Sequence, residues 1–369
     1  MVSEKKLQKI SRIIINTNLC VKEKEVVLIY CGPNSLKFAE YLAFEAAKIG
    51  AQPTIFYGSD ELSLKIYEAI NPKFLKNWPR LGDALSRLVD VKIVIDDTNP
   101  FLANKLPQWK VEIRRKTVKP IRDREERREK RKELKAALIG FPTKEIAKVL
   151  KISHEKLDKI FWDAMDVNYS KIYEYNKNLI RKLKNANKIK IFGEKTELEF
   201  SVKKRKFINA CGLIDRRGEF GYINLPEGEV FCPPVENSVN GEIYFDLPCM
   251  WHYGKRVSGV WFKFKNGKLV KYKIEEGKEN FEEVFKNTSG DKDKIGEFAI
   301  GTNPKAKPTG GLVIVDEKVK GTIHLALGHN KHFGGKNDST LHWDFFKNMK
   351  HGEIYVDDEL LMKNGKILE

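Results

Sequence analysis

The chain of 369 residues is long enough for two domains that each bury a core of their own. A hydrophobic fraction of 41% is typical of a globular protein, and no apolar run approaches the ~20 residues that span a bilayer. The first residues, MVSEKKLQKI, lack the apolar segment of a signal peptide, so we predict a cytoplasmic protein with no membrane partner. The five cysteines include no CxxC pair, which argues against a disulfide framework and a cysteine-rich zinc site.

One segment contributes strongly to the formal net charge of +17. Residues 110–135 hold thirteen basic and six acidic residues, with Glu placed three and four positions from Arg and Lys. This spacing is typical of a solvated helix with ion pairs on its surface, so we predict a basic helical segment over 110–136. A nucleic-acid-binding helix is the alternative. It is less favoured, because few aromatic side chains accompany the charges for stacking on bases.

The first hundred residues alternate apolar strands with helical patterns. Strands are predicted at 25–30, 53–57 and 91–95, and the residues between them have helical spacing. Strands separated by helices favour a mainly parallel sheet with helices on its faces. The turn CGPNS after the first strand lacks the glycine spacing and the lysine of a phosphate-binding loop, so we predict no nucleotide site there.

Helical patterns continue beyond the basic segment. Thr143 and Ser153 are suitable N-caps for helices over 143–150 and 153–162, and a longer helix is predicted over about 169–186. A strand is expected near 188–192.

The sequence pattern changes near residue 200, where short predicted strands connected by glycine turns begin. Asn266-Gly267 between two alternating segments predicts a hairpin. We therefore predict an α/β protein with an N-terminal α/β domain at 1–200, containing a mainly parallel sheet, and a C-terminal β-rich α+β domain at 201–369 that binds metal.

The metal prediction starts from four of the seven histidines, His324, His329, His332 and His342, which fall within residues 321–344. In an extended strand His342 and Asp344 face the same side and can bind one ion. The pattern TIHLAL at 322–327 places His324 opposite an apolar face. Taken singly, His329 and His332 fit a solvated loop better than a metal site.

Two glutamates are further candidates, since each begins or enters a short apolar strand after a glycine. Glu229 follows Gly228 in NLPEGEVF at 224–231, and Glu297 follows Gly296 in GEFAIGTNP at 296–304. A carboxylate fixed by rigid neighbours is suited to a preorganised metal site. Spacing alone leaves ordinary exposed carboxylates at strand ends as an equal alternative.

Together with GTIHLALG at 321–328 and LHWD at 341–344, these motifs form an ordered series that resembles the M29 family of metallo-aminopeptidases. The resemblance is good over about 140–369 and looser before it. It implies two domains, a homodimer, a peptide substrate, and two adjacent divalent ions, zinc, cobalt or manganese. By motif position the implied ligands are Glu229, Glu297, His324, His342 and Asp344.

One position departs from the family pattern. The family tyrosine ligand, seven residues after the first histidine, corresponds to Lys331, and an ammonium is a poor metal ligand. His329 or His332 is a possible substitute, or the second ion is weakly held. The motifs also resemble a non-haem iron dioxygenase group that cleaves dihydroxypyridine rings, for which Fe(II) on His324, His342 and Asp344 is the expected centre.

Our leading hypothesis is removal of N-terminal residues from peptides by a metal-activated water. Glu229 and Glu297 are the predicted catalytic carboxylates, as ligands and as acceptors of the water's proton. The substrate α-amine needs an anionic partner as well, and Glu227, Glu236 and Asp246 are the candidates.

Overall fold

The computed structural model describes residues 2–214, 221–251 and 254–368. The chain forms two compact units, Met1–Asp166 with Gly212–Pro226, and Val167–Cys211 with Glu227–Glu369. The predicted boundary near residue 200 falls inside the second unit of this division, because the chain leaves the first unit after Asp166 and re-enters it for one short segment. None of the described helices combines the length and the apolarity needed to cross a bilayer.

The first unit contains a five-stranded sheet in which every neighbouring pair is parallel. With strands numbered along the whole chain, it comprises β1 (Val26–Cys31), β2 (Gln52–Tyr57), β3 (Val91–Asp96), β4 (Lys135–Gly140) and β8 (Tyr222–Leu225), in the order β2-β1-β3-β4-β8. The helices are α1 (Glu4–Ile13), α2 (Leu36–Lys48), α3 (Asp60–Ala69), α4 (Arg80–Leu88), α5 (Pro100–Ala103), α6 (Gln108–Lys130), α7 (Lys144–Leu150) and α8 (His154–Met165), with short π and 3-10 turns at Ile14–Asn18 and Pro72–Lys76.

The predicted parallel sheet is confirmed, as are both predicted N-caps. The Thr143 hydroxyl accepts a hydrogen bond from the Ile146 amide at 3.1 Å, and the Ser153 hydroxyl accepts one from the Lys156 amide at 3.2 Å. Each satisfies a backbone donor that the first helical turn leaves free.

The basic helix is shorter than predicted, and the predicted span 110–136 is wrong at its C-terminal end. Helix α6 stops at Lys130, Lys132 adopts a left-handed φ of 56°, and Leu134 is buried. Lys135 then begins β4 and forms an ion pair with Glu25 at 2.7 Å. The run of charged residues is therefore followed directly by a buried strand, in which Ala136, Ala137 and Ile139 belong to the core.

Within α6 the predicted ion pairs between successive turns are present. Lys119 contacts Asp123 at 2.7 Å and Lys130 contacts Glu126 at 2.8 Å, both four residues apart.

The second unit is built from two antiparallel sheets. The nine-stranded sheet comprises β5 (Lys188–Gly193), β6 (Thr196–Ser201), β10 (Asn240–Phe245), β11 (Cys249–Trp251), β12 (Lys255–Lys265), β13 (Lys268–Glu276), β17 (Glu353–Val356), β18 (Glu359–Lys363) and β19 (Lys366–Ile367). The five-stranded sheet has the order β16-β15-β14-β9-β7 and comprises β7 (Ile208–Ala210), β9 (Glu229–Cys232), β14 (Ile295–Gly301), β15 (Thr322–Gly328) and β16 (His342–Asn348). The helices are α9 (Tyr169–Leu183), α10 (Lys278–Asn287) and α11 (Val313–Asp316), with a 3-10 turn at Lys331–Phe333.

The predicted hairpin at Asn266-Gly267 is confirmed and connects β12 to β13. Both turn residues have positive φ, 50° and 80°, which is the geometry that a two-residue hairpin turn of the Asn-Gly type requires.

The two sheets of the second unit pack face to face through aromatic side chains. The ring centroid of Phe345 on β16 lies 4.8 Å from that of Phe262 and 5.6 Å from that of Phe245, both on the nine-stranded sheet. The apolar side chains of β15, Ile323, Leu325 and Leu327, belong to this core. Because side chains alternate along a strand, His324 and Ala326 lie on the opposite face of the five-stranded sheet, as the sequence pattern predicted.

Candidate metal centre

That opposite face carries the five side chains predicted as metal ligands. They are Glu229 at the start of β9, Glu297 on β14, His324 on β15, and His342 and Asp344 on β16. The register pairs Ala326 with both Glu297 and Asp344, and Gly328 with His342. Since residues opposite each other on neighbouring strands share a face, small side chains separate the polar ones and leave room between them.

His324 is the centre of a first group of ligand atoms. Its Nε2 lies 3.3 Å from Glu297 Oε1, 3.7 Å from Glu229 Oε2 and 3.9 Å from Asp344 Oδ1. All four residues are buried. Within the described ranges, Glu229, Glu297 and His324 form a group whose ligand atoms lie within 4.8 Å of one another.

His342 is the centre of a second group that shares two members with the first. Its Nε2 lies 3.5 Å from Glu297 Oε2 and 3.6 Å from Asp344 Oδ1. Glu297 therefore directs one oxygen to each histidine, so it could act as a ligand in both groups.

These residues fit a divalent cation in spacing and in bonding. Ligand atoms that bind one ion at roughly 2.0–2.2 Å lie about 3.4 Å apart at tetrahedral angles, close to the separations seen here. Considering only the described residues, Glu229 Oε2 and Asp344 Oδ1 are buried without a hydrogen-bond partner. A buried carboxylate oxygen without a partner is costly, and a bound cation would satisfy both.

The loop before β16 fixes the orientation of the His342 ring. Its Nδ1 lies 2.8 Å from the carbonyl oxygen of His329, to which it donates when Nδ1 carries the proton. This tautomer leaves Nε2 free as an acceptor directed at the carboxylates, as in many metal sites.

A buried lysine that the sequence analysis did not select lies beside the site. Lys318 is fully buried, and its Nζ contacts Glu227 Oε1 at 2.9 Å, Glu229 Oε1 at 2.7 Å and Glu317 Oε2 at 2.8 Å. The bond to Oε1 of Glu229 leaves Oε2 of that residue directed at His324. Lys318 thus holds one ligand in position and compensates part of the negative charge.

The glycine between two of these glutamates allows both to reach Lys318. Gly228 has a φ of 143°, and a Cβ there would lie 2.9 Å from the Asn303 amide nitrogen. The Asn303 side-chain amide donates to the Glu227 carbonyl oxygen at 2.9 Å, which fixes the entry to β9.

Burial and neighbouring charges shift the pKa values of the ligands in opposite directions. Burial raises the pKa of Glu229 to about 8, against the opposing charge of Lys318. For His324 burial favours the neutral ring, but the hydrogen bond to Glu297 and the nearby carboxylates raise its pKa to about 9. Both shifts favour the protonated side chain, so a cation competes with protons for these ligands and its affinity is expected to increase as the pH rises.

The residues around Lys331, where the chain departs from the family pattern, do not share one environment. Lys331 is exposed and forms an ion pair with Asp338 at 2.6 Å. The rings of His329 and His332 pack on each other with centroids 4.7 Å apart. Neither belongs to the group of three ligand side chains above, and His329 contributes its carbonyl oxygen to the site through His342.

We expect Lys331→Met to leave the bound metal unchanged, since the Lys331 ammonium is already paired with Asp338 at the surface. Metal content per chain, measured on purified protein after dialysis, checks this. A variant that gained or lost an ion would place residue 331 in the metal site.

The three residues predicted to bind the substrate amine form ion pairs or hydrogen bonds with other groups of the protein. Glu227 is buried against Lys318, and Glu236 contacts Arg205 at 2.5 Å and accepts from the Lys336 amide at 2.7 Å. Asp246 is exposed at the end of β10, where it accepts from the Asn348 amide at 2.8 Å.

The resemblance seen in the sequence is confirmed by comparison with known proteins. The sequence profile of the Thermophilic metalloprotease (M29) family matches residues 3–366. The chain belongs to this family. A curated relative, Aminopeptidase 2 of Geobacillus stearothermophilus, is 27% identical over 162 residues, which span 39% of this chain and 37% of the relative.

Two solved structures share the fold. The wild-type AmpT of Thermus thermophilus superposes with a TM-score of 0.80 at 20% identity, covering 99% of this chain and 100% of that one. The 2,5-dihydroxypyridine dioxygenase of Pseudomonas putida KT2440 gives a TM-score of 0.65 at 15% identity, covering 100% and 98%. One fold is therefore found in proteins whose names denote different reactions.

Proposed function

We propose that the protein is a metal-dependent aminopeptidase that hydrolyses N-terminal residues from peptides. Family membership supports this activity, and the observation that carries it is the position of Glu297 between two histidines, with one oxygen directed at His324 and the other at His342. Two carboxylates in addition to a two-histidine, one-carboxylate set would supply ligands for a pair of adjacent cations, as found in two-metal aminopeptidases.

The ligands divide between two proposed positions. Glu229, His324, Glu297 and Asp344 would hold one divalent ion, and His342, Glu297 and Asp344 the other. Zinc, cobalt and manganese all accept such nitrogen and oxygen ligands. Two bound ions would supply polarisation of the scissile carbonyl and a lower pKa for an attacking water.

Of the two predicted catalytic carboxylates, Glu229 is the better proton acceptor. Both oxygens of Glu297 face histidines, whereas Glu229 has one oxygen on Lys318 and a second, unpartnered among the described residues, directed into the site.

Ring cleavage by a single Fe(II) on His324, His342 and Asp344 is the second candidate. The structural likeness to a dioxygenase supports it only at the level of the fold. Glu229 and Glu297 favour hydrolysis, because an iron centre of this type needs no additional buried carboxylates.

Nucleic-acid binding by α6 is the third and least favoured candidate. Binding that weakened steeply with added salt would support it.

Metal content and turnover of the purified protein test the proposal together. We expect about two divalent ions per chain, hydrolysis of a leucine anilide, and loss of that activity on chelation with recovery on adding zinc, cobalt or manganese. One iron per chain with oxygen uptake on a dihydroxypyridine would replace the aminopeptidase by the dioxygenase.

We also propose a homodimer in the cytoplasm. The dimer rests on the family resemblance, and the compartment is consistent with five cysteines that are all free thiols. Light scattering of the purified protein gives the oligomeric state directly.

A further inference from the structure

An aminopeptidase needs an anionic group that accepts the free α-ammonium of its substrate near the reacting carbonyl. The three glutamate and aspartate candidates from the sequence are each bonded to other groups. Glu317, the residue before the buried Lys318, lies in a more suitable place.

Glu317 has one oxygen bound and one available. Its Oε2 contacts Lys318 Nζ at 2.8 Å, and among the residues that the structure describes no other ion pair or hydrogen bond involves its carboxylate. The side chain is 14% exposed, whereas those of Glu227 and Glu229 on the same ammonium are 5% and 7% exposed. Of the three carboxylates on Lys318, Glu317 is the one that a solute can best reach.

Glu317 also lies close to the proposed ligands. Because Lys318 Nζ is 2.8 Å from Glu317 Oε2 and 2.7 Å from Glu229 Oε1, these two oxygens are at most 5.5 Å apart. His342, at 36% exposure, is the other partly open member of the site.

The second Glu317 oxygen is left for a donor from outside this cluster. Lys318 Nζ has three hydrogen-bond donors and contacts three carboxylates, so it has none left for that oxygen. An ammonium bound there would gain a charge-assisted hydrogen bond.

We infer that Glu317 binds the α-ammonium of the substrate and so selects peptides with an unblocked N-terminus. This inference rests on the proposed aminopeptidase activity. Lys318 fixes one oxygen of Glu317 and leaves the other to accept from the amine.

The test compares metal-loaded wild type with Glu317→Gln and Glu317→Asp. For Glu317→Gln we expect unchanged metal content and a roughly 10- to 100-fold loss of kcat/KM on leucine anilide, mostly through KM, as for loss of one hydrogen bond to a charged group. Leucine should inhibit wild type more strongly than its deaminated analogue 4-methylpentanoate, and Glu317→Gln should lose this difference. Glu317→Asp, which keeps the charge, should retain part of it.

Three outcomes separate the inference from the activity on which it rests. Wild type that hydrolyses no aminoacyl anilide removes the proposed function itself. An active wild type with a Glu317→Gln variant that still prefers leucine over 4-methylpentanoate overturns the role of Glu317 alone. Loss of metal from Glu317→Gln would also overturn it, by assigning Glu317 to the holding of the ions. Glu359→Gln, an exposed carboxylate on β18, is the matched control and should behave as wild type.

Discussion

Glu297→Gln is expected to lose bound metal and to reduce hydrolysis of leucine anilide by at least ~100-fold. Loss of a residue that only supports a metal ligand already reduces activity by up to ~100-fold, and Glu297 is proposed as a ligand itself. The effect should be large because Glu297 faces both histidines, at 3.3 Å and 3.5 Å, and its replacement weakens both proposed ion positions together. The amide keeps the shape of the side chain, so a folding defect is not expected to account for the loss.

Metal content by mass spectrometry and kcat/KM on the same preparation measure this effect. Glu359→Gln serves as the control, since it removes a carboxylate from an exposed position of the nine-stranded sheet. If Glu297→Gln kept two ions and full activity, the assignment of Glu297 as a ligand at both positions would be wrong.

Lys318→Met should destabilise the protein by about 3–5 kcal/mol, because removing one partner of a buried ionic group leaves uncompensated charge inside. Glu227 and Glu229 would lose their ammonium in a site where their side chains are only 5% and 7% exposed. A fall in melting temperature of about 4–6 °C is the expected observation for a chain of 369 residues, measured on the metal-free protein.

Two further variants separate charge from side-chain volume. Lys331→Met removes a lysine from an exposed ion pair, and we expect a melting temperature close to that of wild type because such pairs contribute little. Adding Glu227→Gln to Lys318→Met should recover part of the loss, since one of the unpaired charges is removed. An unchanged melting temperature in Lys318→Met would show that the buried ammonium contributes no net stability.

Local patterns were sufficient to predict part of the geometry of the candidate site. His342 and Asp344 are two residues apart on one strand, and the alternation around His324 indicated the face on which it lies, so strand geometry alone predicted how these side chains are oriented. Glu229 and Glu297 were assigned as ligands through the family resemblance, because the spacing of residues along the chain does not show which distant strands pair.

Lys318 and Glu317 could not be predicted in the same way. The segment Asp316-Glu317-Lys318 has the composition of a solvated turn, and its burial depends on Glu227 and Glu229, some ninety residues earlier. Asp316 accepts three hydrogen bonds from Thr309 and Gly311 instead of joining the site. Neighbouring carboxylates of one sequence motif therefore have unrelated roles that only tertiary contacts distinguish.

The strand order β16-β15-β14-β9 also determines when, during folding, the second unit could bind metal. Its proposed ligands extend from Glu229 to Asp344, and they reach ligand spacing only after four strands have paired in register. A slip of β16 by one residue would turn His342 and Asp344 to the other face together. High-affinity metal binding would then indicate that these four strands have paired correctly. A bound ion would contact both β9, the first of these strands in the chain, and β16, the last, and would stabilise the folded unit against unfolding and proteolysis.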